Sequence, residues 1–160
     1  NSYAVENPAF IRAAADLAGS SSVVVAIDVK KNSQHRYEVY TYSGTNPTGI
    51  DPIQWAVEME KMGAGELFLN SIDRDGTMQG YDIELIHQVA EAVSIPVIAC
   101  GGAGRISDLV QAVREGKASA VAAGSMFVFH GKHRAVLINF PTPRELAEAF
   151  QQESALKETL

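Results

Sequence analysis

Asp28 closes an uninterrupted apolar run, Val23-Val24-Val25-Ala26-Ile27. A carboxylate finishing such a strand stands at the rim of a sheet, where α/β folds place groups that move protons. A structural role fits the same residue, either capping the next turn or pairing with Lys30 or Lys31. The second chemical signal is a pair of small-residue loops. Cys100-Gly101-Gly102-Ala103-Gly104 ends the run Val97-Ile98-Ala99, and Gly124-Ser125 ends Ala120-Val121-Ala122-Ala123. Neither loop carries bulk, so backbone N–H groups can approach an anion closely. Neighbouring loops of this kind hold phosphate after the last strands of a (βα)8 barrel. Tight turns alone would explain one glycine pair, whereas two matching loops favour phosphate. A third loop, Asp73-Arg74-Asp75-Gly76-Thr77, is dense in charge and then reaches a glycine.

These residues need a scaffold, and the flanking patterns supply one. The runs at 23–27, 66–72, 97–99 and 120–123 read as strands, and the first, Val23–Ile27, is too uniformly apolar to keep a wet face. Between them lie helical patterns. Asn7-Pro8 opens the first of the chain, with Ile11, Ala14, Ala15 and Leu17 as its stripe. Asp51-Pro52 opens the next, with Ile53, Ala56, Val57, Glu60 and Met62, and Trp55 is expected to pack between helix and sheet. Asp82 caps a third, with Leu85, Ile86, Val89, Ala90 and Val93 inward. Val110, Ala112 and Val113 mark a fourth, with Gly116 as its C-terminal cap. Thr142-Pro143 starts the last, and a polar tail follows from 151 to 160. Tyr37-Glu38-Val39-Tyr40-Thr41-Tyr42 alternates and reads as an excursion hairpin. The expected fold is α/β: four parallel strands, each followed by a helix, in one domain over residues 1–160.

Composition narrows the partners. Thirteen Lys and Arg against 19 Asp and Glu leave a formal charge of −6. An acidic chain without a long basic run argues against nucleic acid. No stretch approaches the roughly 20 apolar residues of a membrane span, so no membrane partner is expected. The lone Cys100 rules out an internal disulfide and any multi-cysteine metal site. No secretory pattern is visible, and a cytoplasmic location is the expectation. No cofactor and no metal are implied. His130 and His133 stand three residues apart, but a solvated basic loop with Lys132 and Arg134 is the simpler reading. His35 and His87 read as surface residues.

The segments VVVAIDVK (23–30), SIDRDGTMQGYD (71–82), SIPVIACGGAG (94–104) and AAGSMF (122–127) resemble the cyclase subunit of imidazole glycerol phosphate synthase. The resemblance runs from about residue 1 to 129 and corresponds to the second half of that family's (βα)8 barrel. It implies a (βα)4 half-barrel, and a reaction in which ammonia from a glutaminase partner closes the ring of a phosphorylated ribulosyl aminoimidazole carboxamide. In that family two aspartates share the acid–base work. Asp28 matches one of them, and the strand bearing the other has no counterpart here. The resemblance puts the phosphate site at Gly76, Gly102, Gly124 and Ser125, with Asp75 and Gly101 beside it. Asn1 and Ser2 match a first-half phosphate loop. Asn70 and Cys100 stand where the family more often has Thr and Ser, and strand alternation points both into the mouth. Cys100 has no His partner in sequence that would mark a nucleophile.

FHGKHRAVLINFP, from Phe129 to Pro141, resembles instead a side branch of the family that works with an amidotransferase-like partner in making amidino sugars for cell-surface polysaccharide. Three readings therefore stand: an enzyme active as an assembled barrel, a non-catalytic phosphate-binding half-barrel, and a portion of a longer cyclase. A half-barrel would expose strand edges before Val23 and after Gly124, and an inner face including Val24, Ala26, Phe68, Ile98 and Ala122. A homodimer that closes the barrel is the expected remedy.

Overall fold

A computed structural model describes residues 1–131 and 133–157, with side chains as far as Gln151. Two short helices lead, α1 (Ser2–Glu6) and α2 (Ala9–Ala18), followed by a 3₁₀ turn at Ser20–Ser22. Asn7 closes α1 through its backbone N–H to Tyr3 O and makes no side-chain cap; Pro8 stands at the N-cap of α2. Then come β1 (Val24–Lys31), the excursion strands β2 (Tyr37–Thr41) and β3 (Asn46–Pro47), and α3 (Pro52–Lys61). β4 (Glu66–Ser71), α4 (Ile83–Ala92), β5 (Val97–Cys100), α5 (Ile106–Arg114) and β6 (Ala120–Val121) complete the alternation. A single-turn α6 (Ser125–Val128), a small hairpin of β7 (Phe129–His130) and β8 (Ala135–Val136), and α7 (Pro143–Lys157) follow. The tail expected from 151 is thus helical to Lys157; residues 158–160, and Lys132 of the basic loop, lie outside the described residues.

One sheet runs in the order β3-β2-β1-β4-β5-β6. β1, β4, β5 and β6 are parallel, as their crossover helices require, and the excursion hairpin lies antiparallel on β1. Val25, Ile27 and Val29 of β1, Leu67 and Leu69 of β4, and Val97 and Ala99 of β5 point to one face and are buried. Trp55, Ala56 and Met59 of α3, Leu85, Ile86 and Val89 of α4, and Leu109, Val110 and Ala112 of α5 join them in the core. The stripe of α3 is therefore rotated from the expected one: Glu60 reaches out to the N–H and hydroxyl of Ser94.

The opposite face is not covered. Val24 is 51% exposed, and Ala26, Asp28, Phe68, Asn70, Ile98 and Cys100 are half-buried. Val24, Ala26, Phe68 and Ile98 are inner-face residues expected to lack cover in a chain of four strands; the reading of the Val23–Ile27 run as having no wet face is corrected, since the same alternation that buries Val25 turns Val24 outward. The edge expectation is corrected too. The first strand runs on past Asp28 to Lys31, and β2 pairs with that extension from Asp28 to Lys31. Among the described residues of the four parallel strands, the Val24–Ile27 part of that edge and the outer edge of β6 lack a strand neighbour.

The caps are local and follow from the side chains. Asp51 Oδ1 accepts the N–H groups of Ile53 and Gln54, each at 2.9 Å. Asp82 accepts Leu85 N–H at 3.3 Å. Thr142 and Glu145 form a reciprocal capping box, with Glu145 N–H 3.2 Å from Thr142 Oγ1. Gly116 is not the left-handed cap of α5; Lys117 takes that conformation at φ 59°. Gly116 is small because a Cβ would stand 2.6 Å from Ala112 O. Among the described residues no helix is long and apolar enough to cross a membrane.

Candidate functional site

The parallel register sets Asp28 beside Asn70 and Asn70 beside Cys100. All three lie on the uncovered face, one per strand, in a row across β1, β4 and β5. Asn70 Nδ2 donates to Asp28 Oδ1 at 3.0 Å. The amide of Asn1 donates to the other carboxylate oxygen, and also to Tyr40 O at 3.1 Å. Asp28 therefore neither caps a turn nor pairs with a lysine. Lys30 and Lys31 sit over the rings of Tyr40 and Tyr37 at 5.7 and 4.6 Å. Asn1, matched in sequence to a phosphate loop, serves the carboxylate instead, while Ser2 Oγ accepts Tyr42 N–H at 2.9 Å. The amide oxygens of Asn1 and Asn70 are buried without a donor among the described residues.

Burial pushes the Cys100 thiol up, and the negative charges of Asp75 and Asp28 push the same way; Gly101 N–H, donating to the sulfur, opposes them in part. The shift favours the neutral thiol at neutral pH, which weakens it as a nucleophile.

The glycine loops converge as the sequence suggested. Asp75, Gly76, Cys100, Gly101, Gly102, Gly124 and Ser125 line one niche with Ala103 and Ala123. Its volume is about 10 Å³, room for the tip of an anion and not for a whole substrate. Among the described residues no backbone acceptor takes the N–H of Gly76, Gly102, Gly124 or Ser125. Those donors are left to water or a ligand.

Gly101 and Gly102 have a structural reason independent of any ligand. Both adopt positive φ, 90° and 112°. A Cβ on Gly101 would meet Ser71 O at 2.5 Å, and one on Gly102 would meet Gly80 O at 2.3 Å. Gly124 is different: its φ is −112°, and a Cβ there would meet nothing within 4 Å. The fold therefore leaves room for a side chain at 124 that the niche would not.

Residues that sequence reading passed over hold these loops together. Gly80 N–H donates to Gly102 O at 2.8 Å. The buried Tyr81 donates its hydroxyl to Ala122 O at 2.8 Å, carrying the loop after β4 across β5 to β6. Tyr37 of the excursion hairpin donates to Asp82 Oδ1 at 2.8 Å, and Lys31 N–H donates to Asp73 Oδ2 at 2.8 Å. The hairpin is thus latched to the loop that carries Asp75 and Gly76. A Tyr directly after Gly80, in a segment otherwise polar, was the available signal for Tyr81.

A larger cavity of 480 Å³ lies elsewhere, between α5, β6 and the C-terminal segment. Leu109, Val121, Phe127, Phe140 and Leu146 line it with no titratable group. His130 and His133 are exposed, whereas His87 is half-buried, with Nδ1 enclosed and lacking a partner among the described residues. Among the described residues no three His, Cys, Asp or Glu side chains are grouped to hold a metal.

The family model described as "Histidine biosynthesis protein" matches residues 1–134, which include every strand of the main sheet and both parts of this site. The chain belongs to that histidine biosynthesis family. It is 49% identical over 146 residues to a Pseudomonas aeruginosa protein described as "Putative imidazole glycerol phosphate synthase subunit hisF2". That similarity covers 91% of this chain and 58% of the relative. The chain thus spans well under two thirds of the curated relative it matches. Within the family it resembles the imidazole glycerol phosphate synthase subunits, and its fold is the α/β, mainly parallel arrangement described above.

Proposed function

We propose that this chain carries one catalytic half of an ammonia-dependent cyclase acting on a phosphorylated ribulosyl aminoimidazole carboxamide. The observation that carries the reading is the placement of Asp28 and the glycine niche at the same end of one open sheet face. Asp28 ends a row, Asp28-Asn70-Cys100, whose last member also lines the niche. A substrate phosphate held by the N–H groups of Gly76, Gly102, Gly124 and Ser125 would lay the rest of the molecule along that row. Anchoring of this kind lowers a barrier by prepaying orientation. Asp28 then moves protons as nitrogen adds and the ring closes, into imidazole glycerol phosphate and an aminoimidazole carboxamide ribotide. Asn70 and Asn1 aim its carboxylate. The ammonia would come from a glutaminase subunit or, in the assay, from an ammonium salt.

One carboxylate is a weak catalyst for a reaction that takes an acid and a base. The uncovered face and the two open edge segments supply the remedy: a second four-stranded unit, in the simplest case a second copy in a twofold dimer. Closure would place Asp28 twice across one mouth. The test is turnover of the phosphorylated substrate with ammonium salt by the purified chain. Product formation supports the cyclase; phosphate binding without turnover supports a non-catalytic half-barrel. An amidotransferase-coupled cyclase of surface-sugar synthesis rests on the 129–141 segment, which folds as the β7–β8 hairpin beside the niche. A panel of phosphorylated sugar substrates separates it.

A further inference from the structure

The niche has a charge deficit. Among the described residues its lining includes the acidic Asp75 and no Lys or Arg. Backbone N–H groups can orient a phosphate dianion, but beside a carboxylate it also needs a cation. We infer that Arg134 is that cation, a specificity-determining residue for phosphate delivered by the β7–β8 hairpin; the inference deepens the phosphate reading above and rests on it.

Arg134 Nη2 donates to Gly76 O at 2.9 Å, across 58 residues of sequence, and Gly76 is itself part of the niche wall. The guanidinium is held from a second side, its carbon 4.9 Å from the ring centroid of Phe129. The backbone is held as well. Arg134 N–H donates to Gly131 O at 3.0 Å, and its φ is +49°, an uncommon value for a side-chain-bearing residue and a mark of a fixed turn. The hairpin register, Phe129 opposite Val136 and His130 opposite Ala135, brings Arg134 back toward the sheet. The connection is short, because Ser125 of the niche begins α6 and β7 follows it directly.

An arginine has five N–H donors in a rigid fork, and the bond to Gly76 O uses one of them. The rest are available to an anion seated on the neighbouring N–H groups. The other nearby arginines are placed differently. Arg105 is paired with Asp108 at 3.1 Å. Arg74 lies on the Tyr37 side of its loop, where its charge acts on the Tyr37 phenol.

The experiment is a titration of the full chain with inorganic phosphate by calorimetry, at low and high salt. It compares the wild type, Arg134→Gln, Arg134→Lys and Arg74→Gln, with circular dichroism to show that each is folded. Removing one charge-assisted anion contact is worth about tenfold in affinity. Arg134→Gln is expected to weaken phosphate binding by about that factor and to flatten its salt dependence. Arg134→Lys should lose less, since it keeps the charge without the fork. Arg74→Gln should stay near wild type. If wild type binds phosphate and Arg134→Gln binds it equally well, the assignment of Arg134 is overturned and the niche stands. If Arg74→Gln loses as much as Arg134→Gln, a general field replaces the contact and the assignment is overturned. If wild type binds no phosphate, the niche reading falls and takes this inference with it.

Discussion

The amide of Asn70 holds one oxygen of Asp28 at 3.0 Å from the adjacent parallel strand, 42 residues away in sequence. The bond joins the two strands at the height where the glycine loops begin. It turns a carboxylate that could have been a turn cap into one aimed across the sheet's open face.

Asp28→Asn tests the role of that carboxylate. The variant keeps the size of the side chain but sets an NH2 where one carboxylate oxygen accepts an amide; Asp28 is only half-buried and the unpartnered amide oxygen of Asn1 or Asn70 can turn to that donor, so the stability cost should stay within about 1.5 kcal/mol. Turnover with ammonium salt should fall by about 10²- to 10⁴-fold, the usual worth of a positioned acid–base group. Urea unfolding and a product assay measure the two effects. Normal turnover, or an unfolded variant with intact neighbours, would return Asp28 to a structural role.

Gly124→Val and Gly102→Val separate binding from folding. The side chain at 124 enters open space at an ordinary φ, so that variant should fold with a melting curve close to wild type and bind phosphate at least tenfold more weakly, by the order of one lost anion contact. Gly102→Val drives a Cβ against Gly80 O at 2.3 Å from a φ of 112° and should destabilise the chain by several kcal/mol, in line with strained left-handed sites and overpacking. Phosphate calorimetry together with thermal melts reads both. Unchanged affinity in Gly124→Val would refute the niche.

Tyr37 and Tyr81 make stability depend on alkaline pH. Burial is the main cause that raises each phenol above its ordinary value of 10.0; the hydrogen bond to Asp82 adds to it at Tyr37, and at Tyr81 the Cys100 thiolate formed at alkaline pH and the charge of Asp108 add to it. The folded state thus favours the protonated phenol. This contribution is complete below the unfolded-state value and is lost as pH climbs past it, because the unfolded chain then ionises first. Urea midpoints should hold steady toward pH 10 and drop above it. Tyr37→Phe and Tyr81→Phe should each soften that drop and cost about 0.5–1.5 kcal/mol at neutral pH for the lost hydrogen bond. An identical alkaline profile in both variants would count against the assignment.

Assembly is decided by solution mass. Val24 is half exposed at an unpaired edge, and Phe68 and Ile98 remain half-buried on the open face. Sedimentation equilibrium at micromolar concentration should give about twice the 17.2 kDa of one chain. A stable monomer would sink the twofold closure. Val24→Lys, placing a charge at the edge strand, should weaken the dimer if closure uses that edge.

Much of this molecule was legible in its sequence because the signals are local. Asp51 and Asp82 cap helices where a carboxylate precedes a helical pattern, since a side chain two or three residues from the N–H groups needs no tertiary help. The order of strands and helices follows from apolar runs and their spacing, and the two glycine loops from composition alone. The first strand, taken by itself, reads as buried on both faces, and only the count of four strands in a half-barrel marks Val24 and Ala26 as uncovered. The run from Val23 to Ile27 is apolar throughout, and nothing in such a run says which alternate residues find a partner.

Only tertiary structure decided the rest. The Asp28–Asn70 contact depends on the register between β1 and β4, and a slip of one residue would send Asn70 to the other face. Glycine at 102 is required by a carbonyl from Gly80, which arrives from another loop. Arg134 meets Gly76 only because a hairpin unseen in the apolar pattern folds the chain back. The sequence by itself determined which segments become strands, helices and bare loops, because those choices are made within a few residues by sterics and hydrogen bonding. Which carboxylate, amide and guanidinium come to face one another was set by strand register and loop closure, which are settled when distant segments bury their surfaces together.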